Sequence, residues 1–208
     1  MARKKEIKRY NNILKNFLII ICLAIVVFVV VFFALKKEAG FTYRGIDFGL
    51  EKVGNLTFYR ATFPVLKGID YVTDYNLFIR NDPRKLDKKV SFDGNMTIYR
   101  DVVINLTQNF QCDGYGIISL ANLAKTYSIF GINIINNQSI GCNSSLSYSF
   151  IEITSGNKTE LVQTDKSCYQ LKINDCEILD GTEKIILETI AIAKKQNATV
   201  DLDNVPTI

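Results

Sequence analysis

FLIIICLAIVVFVVVFFAL, residues 17–35, runs for nineteen residues without a charge, a glycine or a proline. As a helix it rises about 28 Å, close to the roughly 30 Å hydrocarbon core of a bilayer. Arg3, Lys4, Lys5, Lys8, Arg9 and Lys15 precede it against a single acid, Glu6, whereas Lys36 and Lys37 follow it and meet Glu38 at once. Excess Lys and Arg marks the cytoplasmic flank, so residues 1–16 are read as a cytoplasmic basic segment and the chain beyond the helix as extracytoplasmic. A cleaved signal peptide has a shorter apolar region and a small-residue cleavage site. Here the following KKEAGF offers only a poor site near Ala39, so the run is read as an uncleaved signal-anchor. Cys22 lacks the small-residue surroundings of a lipid-attachment cysteine and reads as apolar filler.

Outward from the anchor lies enough chain for one domain with a real core. The whole-chain charge of +4 misleads about that domain. Residues 1–16 carry six basic groups and one acid, which leaves the remainder at −1. The basic surplus belongs beside anionic membrane lipid, and no positive face remains for nucleic acid. The chain has no histidine and no tryptophan. Without histidine there is no Ser-His-Asp triad, no Cys-His pair and no His-ligated metal. No cofactor is expected, and any catalysis falls to carboxylates, Lys, Tyr or Cys.

Cys112, Cys142, Cys168 and Cys176 form an even set in an exported domain, which reads as two disulfides. Short closed loops favour Cys112–Cys142 and Cys168–Cys176. A four-thiolate zinc site normally shows cysteine pairs two to four residues apart, and the chain has none. N-x-S/T triplets stand at Asn55, Asn95, Asn105, Asn137, Asn143, Asn157 and Asn197, where they are glycosylation acceptors if the host exports glycoproteins.

The expected fold class is α+β: one transmembrane helix, then a domain over 37–195 with a mixed sheet and two packed helices, and a loose tail over 196–208. Within the domain, 41–107 is β-rich and 108–195 mixed. Segments 41–48, 55–65, 75–80 and 96–106 are aromatic and β-branched, punctuated by Gly54, Gly68 and Asp93-Gly94. NLTFYR (55–60) and NMTIYR (95–100) echo one another, more simply as shared strand chemistry than as a duplicated unit. Asp113 is placed to cap a helix to about Phe130, with Gly131 beyond its end. Strands follow at 132–135, 148–154, 159–163 and 168–173. Asp180, three residues before Glu183, reads as the capping box of a helix over 181–195. VVINL, the 113–130 helix and the strand INII or FIEIT suit a right-handed βαβ crossover.

The densest polar cluster is Arg80-Asn81-Asp82-Pro83-Arg84 after the apolar YNLFI. Arg80, Asn81, Asp82 and Arg84 are the candidate binding residues, as two guanidinium forks and a carboxylate at a strand end suit an anion or glycan contact. The plainer reading is a strand-ending turn, with the arginines paired to Asp82 or Asp87. Asp113-Gly114-Tyr115-Gly116 resembles an anion-binding loop only in part, since Ser119 stands where a third glycine belongs.

YNLFIRNDPRKLDKKV, CDGYGIISLANLA and CYQLKINDCEILDGTEKIIL together resemble an uncharacterised group of small archaeal proteins with an N-terminal anchor and an exported α+β domain. The resemblance implies that architecture over residues 41–195 and carries no activity. The chain is therefore expected to be a non-enzymatic envelope protein whose domain binds or supports another envelope or membrane protein. The alternatives are a carboxylate-dependent enzyme acting on surface glycans and an accessory subunit of a membrane complex.

Overall fold

An apolar run with no backbone breaker satisfies its amides internally as a helix, and α1 (Ala2–Leu35) does so throughout. The computed structural model describes residues 2–35, 40–67, 70–135, 140–143, 147–195 and 200–201, in two units, Met1–Gly40 and Phe41–Ile208. Within α1 the span Leu14–Phe32 has mean hydropathy 2.9 and no buried residue, which is the length and composition of a membrane-crossing helix.

The second unit begins with β1 (Phe41–Tyr43) and β2 (Ile46–Val53), two strands where the sequence suggested one. Arg44 and Gly45 both take positive φ, 50° and 75°, which is the backbone of a tight hairpin turn. There follow β3 (Leu56–Lys67), β4 (Asp70–Ile79), α2 (Pro83–Lys89), β5 (Ser91–Asp93), β6 (Asp101–Leu106) and, after a 3-10 turn, α3 (Tyr115–Ile129). The chain continues through β7 (Asn133–Ile135), β8 (Tyr148–Ser155), β9 (Glu160–Asp165), β10 (Cys168–Ile173), α4 (Ile178–Lys195) and β11 (Val200–Asp201). Of the echoed hexapeptides, 55–60 enters β3 and 95–100 is irregular, so the likeness is one of composition. The tail is described only at β11, which runs parallel to β3 at Val65; the rest of 196–208 lies outside the described residues.

The fold is α+β. β1–β4 form antiparallel neighbours in one sheet. The second sheet is mixed, in the order β5-β9-β10-β8-β6-β7. The expected crossover is present: β6, α3 and β7 make a βαβ unit, and β8 lies parallel to β6 on its other side. In β8 and β10 the side chains alternate as a half-buried sheet requires. Ile151, Ile153, Tyr169, Leu171 and Ile173 are buried, while Glu152, Gln170 and Lys172 are only half-buried.

α4 joins the sheets into one core. Its Ile178, Ile185, Ile186, Leu187 and Ile190 pack with Phe48, Leu77 and Ile79 of the first sheet and with Leu171 and Ile173 of the second. A Cβ on Gly181 would lie 2.7 Å from Ile173 Cδ1, so this glycine sets how closely α4 sits on β10. α4 starts at Ile178, one turn earlier than the sequence suggested, and Asp180 and Glu183 are not a capping box but interior residues of the helix. Buried Thr182 and Thr189 satisfy their hydroxyls on the carbonyls of Ile178 and Ile185, both at 2.9 Å.

The cysteines pair as Cys112–Cys176 and Cys142–Cys168, with Cα separations of 5.3 and 5.8 Å, not as the short loops expected. Sheet order decides this pairing. The turn before α3 and the turn before α4 meet, while Cys168 at the start of β10 meets the segment crossing the far face of the second sheet. On that face the bridge stands over Val103 and Phe150, with Ile135, Ile140 and Tyr148 around them.

Candidate functional site

β4 ends where its apolar alternation gives out, and the next residues bind inward to α4. Glu183, only 2% exposed, accepts from the Arg80 amide at 2.7 Å through Oε1. Its Oε2 accepts from the Asn81 amide at 3.1 Å and from Asn81 Nδ2 at 2.8 Å. Burial, with Asp180 adding to it, pushes the Glu183 carboxyl up to about 7, against the pull of those three donors. Asp82 caps α2, accepting from the Arg84 amide at 3.0 Å, and Pro83 occupies the first helical position. The same carboxylate takes a fork from Arg84, with Nε at 2.9 Å and an NH2 contact at 2.7 Å. That hydrogen bond holds the Asp82 carboxyl below the usual aspartate range.

Of the four candidate binding residues, Asn81 and Asp82 are therefore engaged by backbone and by neighbouring side chains. Arg84 lies 3.9 Å over the Phe41 ring in addition to its bond with Asp82. The Arg80 guanidinium lies 5.2 Å over the ring of Tyr115 at the start of α3 and makes no ion pair among the described residues. The segment is thus a short helix with a capped start rather than a bare turn.

α2 continues the contact with α4. Asp87 receives Tyr43 OH, Lys184 Nζ and, at 2.8 Å, Arg44 NH2. Lys184 and Arg44 both reach Glu188 Oε1 at 2.7 Å, which closes a ring of two cations and two carboxylates. Lys184's side chain is 3% exposed. At the end of α2, Lys89 pairs with Asp180 at 2.9 Å and Glu177 at 3.1 Å, and Thr159 donates to Glu177 at 2.6 Å. The Thr159 bond, with Lys89 behind it, lowers the Glu177 carboxyl. This network was not read from the sequence, although Asp87-Lys88-Lys89 facing E-K-x-x-x-E (183–188) at helical spacing was its available signal.

The Asp113-Gly114-Tyr115-Gly116 loop has a steric explanation. A Cβ on Gly116 would lie 1.5 Å from the Phe110 carbonyl oxygen, so α3 can begin there only with glycine. Asp113 does not cap α3: it sits in the preceding 3-10 turn at φ 52°, and Gly114 takes the cap position without a side-chain bond.

On the outer face of the second sheet, a groove of about 370 Å³ runs between the Gly141–Cys142 segment and the ladder Asn105, Glu152 and Gln170. Gln170 Nε2 donates to Glu152 Oε2 at 2.8 Å, and Glu152 is the one carboxylate among the described lining residues. No group of three or more metal-binding side chains occurs among the described residues. Of the glycosylation triplets, Asn55, Asn95, Asn143 and Asn157 are exposed and Asn105 half-buried, while Asn137 and Asn197 lie outside the described residues. The unburied N-terminal apolar helix and the two disulfides make this a secreted or membrane-anchored protein. No protein-family model matches the chain, and no curated protein or solved structure is detectably similar to it.

Proposed function

We propose that this is a single-pass membrane protein with a cytoplasmic N-terminus, whose extracytoplasmic domain binds an envelope or membrane protein partner. The observation that carries the reading is the unburied Leu14–Phe32 helix ahead of a disulfide-bonded domain. Five residues of sequence separate Leu35 from β1. The carboxylates Asp82, Asp87, Glu177, Asp180 and Glu188 each meet a cation, which supports a structural role for them. The outer groove, with its single described carboxylate, lacks the pair that glycoside hydrolysis requires.

The test is crosslinking in the host membrane followed by purification of the full-length protein. A stoichiometric partner captured from the outer side supports the reading. A protein recovered alone, or a domain on the cytoplasmic side by protease protection, overturns it. Replacing Arg80 and Arg84 with Ala leaves the fold intact, since neither guanidinium is enclosed, and reduces capture if the strand end belongs to the contact.

A further inference from the structure

The edge of β4 points to the kind of partner. A free strand edge is a row of unpaired amides and carbonyls, and proteins ordinarily keep such edges very short. The other end strands conform: β1, β5 and β7 have three residues and β11 has two. β4 has ten, and among the described residues it pairs with β3 alone. Among the described residues no further backbone group bonds to 73–79.

The direction of the open groups follows from one residue. Pro64 lies opposite Asp74 and has no N–H, so that pair belongs to the non-bonded set of the antiparallel ladder. Alternation then turns the amides of Tyr75, Leu77 and Ile79 toward β3 and those of Asp74, Asn76 and Phe78 outward. The next residue of that outward set, Arg80, does turn its amide away from β3, to Glu183.

α3 flanks the strand. Tyr115, Ile118, Asn122 and Lys125 form one helical stripe, whose ends touch the β4 side at Arg80 and at Tyr75, where Lys125 Nζ lies 5.6 Å over the ring. Tyr115 is 37% and Ile118 46% exposed, and Phe78 on the other side of the strand is 40% exposed. Arg80 and Lys125 make ring contacts but no ion pair among the described residues.

We propose that β4 accepts an extended peptide segment of the partner protein as an added strand, with apolar side chains at alternate positions against Tyr115 and Ile118 and an acidic residue toward Arg80 or Lys125. The occupant is a strand because only extended backbone matches outward groups at every second residue, and it is acidic because the two cations flanking the edge meet no carboxylate among the described residues. This deepens the binding-module reading and rests on it.

The probe is a library of random ten-residue peptides displayed on phage, selected against the full-length protein in detergent and then measured singly by fluorescence anisotropy. Selected peptides alternate apolar residues, carry an acid, and slow amide exchange at Asp74, Asn76 and Phe78. Asn76→Pro removes an outward donor without touching the β3 ladder and weakens binding at least about tenfold, whereas Asn76→Ala stays within about twofold. Should Asn76→Pro fail to fold, Ile118→Asp serves instead, on an exposed side chain. Equal binding by Asn76→Pro, protection elsewhere, or no selected peptide overturns the proposal. So does a dimer of the wild-type chain that Asn76→Pro dissolves, since the occupant is then a second copy. A partner captured from membranes and retained by Asn76→Pro leaves the binding module standing and removes only β4 as its site.

Discussion

A carboxylate enclosed among three N–H donors is drawn two ways, and at Glu183 burial prevails. The donors from Arg80 and Asn81 favour the anion, and burial with Asp180 nearby favours the acid, which leaves the group near neutrality instead of near 4.5. Because the folded value lies above the unfolded one, the stability it confers is complete below about 4.5 and is lost as pH rises through about 7. The full loss is about 3 kcal/mol, since each tenfold change in proton affinity is worth about 1.4 kcal/mol. Asp82 and Glu177 move the other way, so their contribution is lost only as pH falls below the ordinary carboxylate range. Urea denaturation of the full-length protein in detergent between pH 5 and pH 8 is therefore expected to show declining stability. Glu183→Gln flattens that decline, and an unchanged slope in the variant assigns the titration to another group.

At the scale of elements, α2 is seven residues long and would not hold as a helix alone. Its capped start and its charges fix it to α4. Lys184 is the member of the ring with least access to water, and replacing it with Met leaves Asp87 and Glu188 with only Arg44 between them. Removing one partner of a buried pair typically costs about 3–5 kcal/mol. Arg44, one-third exposed, is worth about 1 kcal/mol or less in the same network. Thermal melts of Lys184→Met and Arg44→Ala are expected to differ in that order, and equal effects would mean that water reaches Lys184. The sequence made most of the elements legible, because period-2 runs such as CYQLKI and the VVINL-helix-strand succession have one physical reading each. It misjudged starts and short pieces. Asp82-Pro83 is a helix opening that also reads as a turn, and α4 begins a turn early because Ile178 belongs to the core rather than to the loop. The engagement of Asn81 by Glu183 spans 102 positions, and no local pattern foretells it.

At the scale of the whole molecule, the disulfides show what a single sequence withholds and what the fold then explains. Nearness along the chain favoured Cys112 with Cys142, yet the order of strands brings Cys112 to Cys176 across 64 positions and Cys142 to Cys168 across 26. In the chain-entropy account a longer closed loop restrains the unfolded chain more, about 4 kcal/mol for the first bridge and about 3.5 kcal/mol for the second. The two also hold different things. Cys112–Cys176 ties the start of α3 to the start of α4, both packed in the main core, whereas Cys142–Cys168 pins a surface segment over Phe150. Replacing Cys112 and Cys176 together with Ala is therefore expected to lower the urea midpoint of the whole domain by more than the matching change at Cys142 and Cys168. The second pair should chiefly speed amide exchange at 140–143 and at Tyr148. Non-reducing peptide mapping checks the connectivity first: crosslinked fragments joining 112 to 142 would refute the pairing outright. With the pairing in hand, equal losses at the two bridges would show that loop closure does not set their contribution, and a larger loss at Cys142–Cys168 would make the cluster over Phe150 part of the cooperative core.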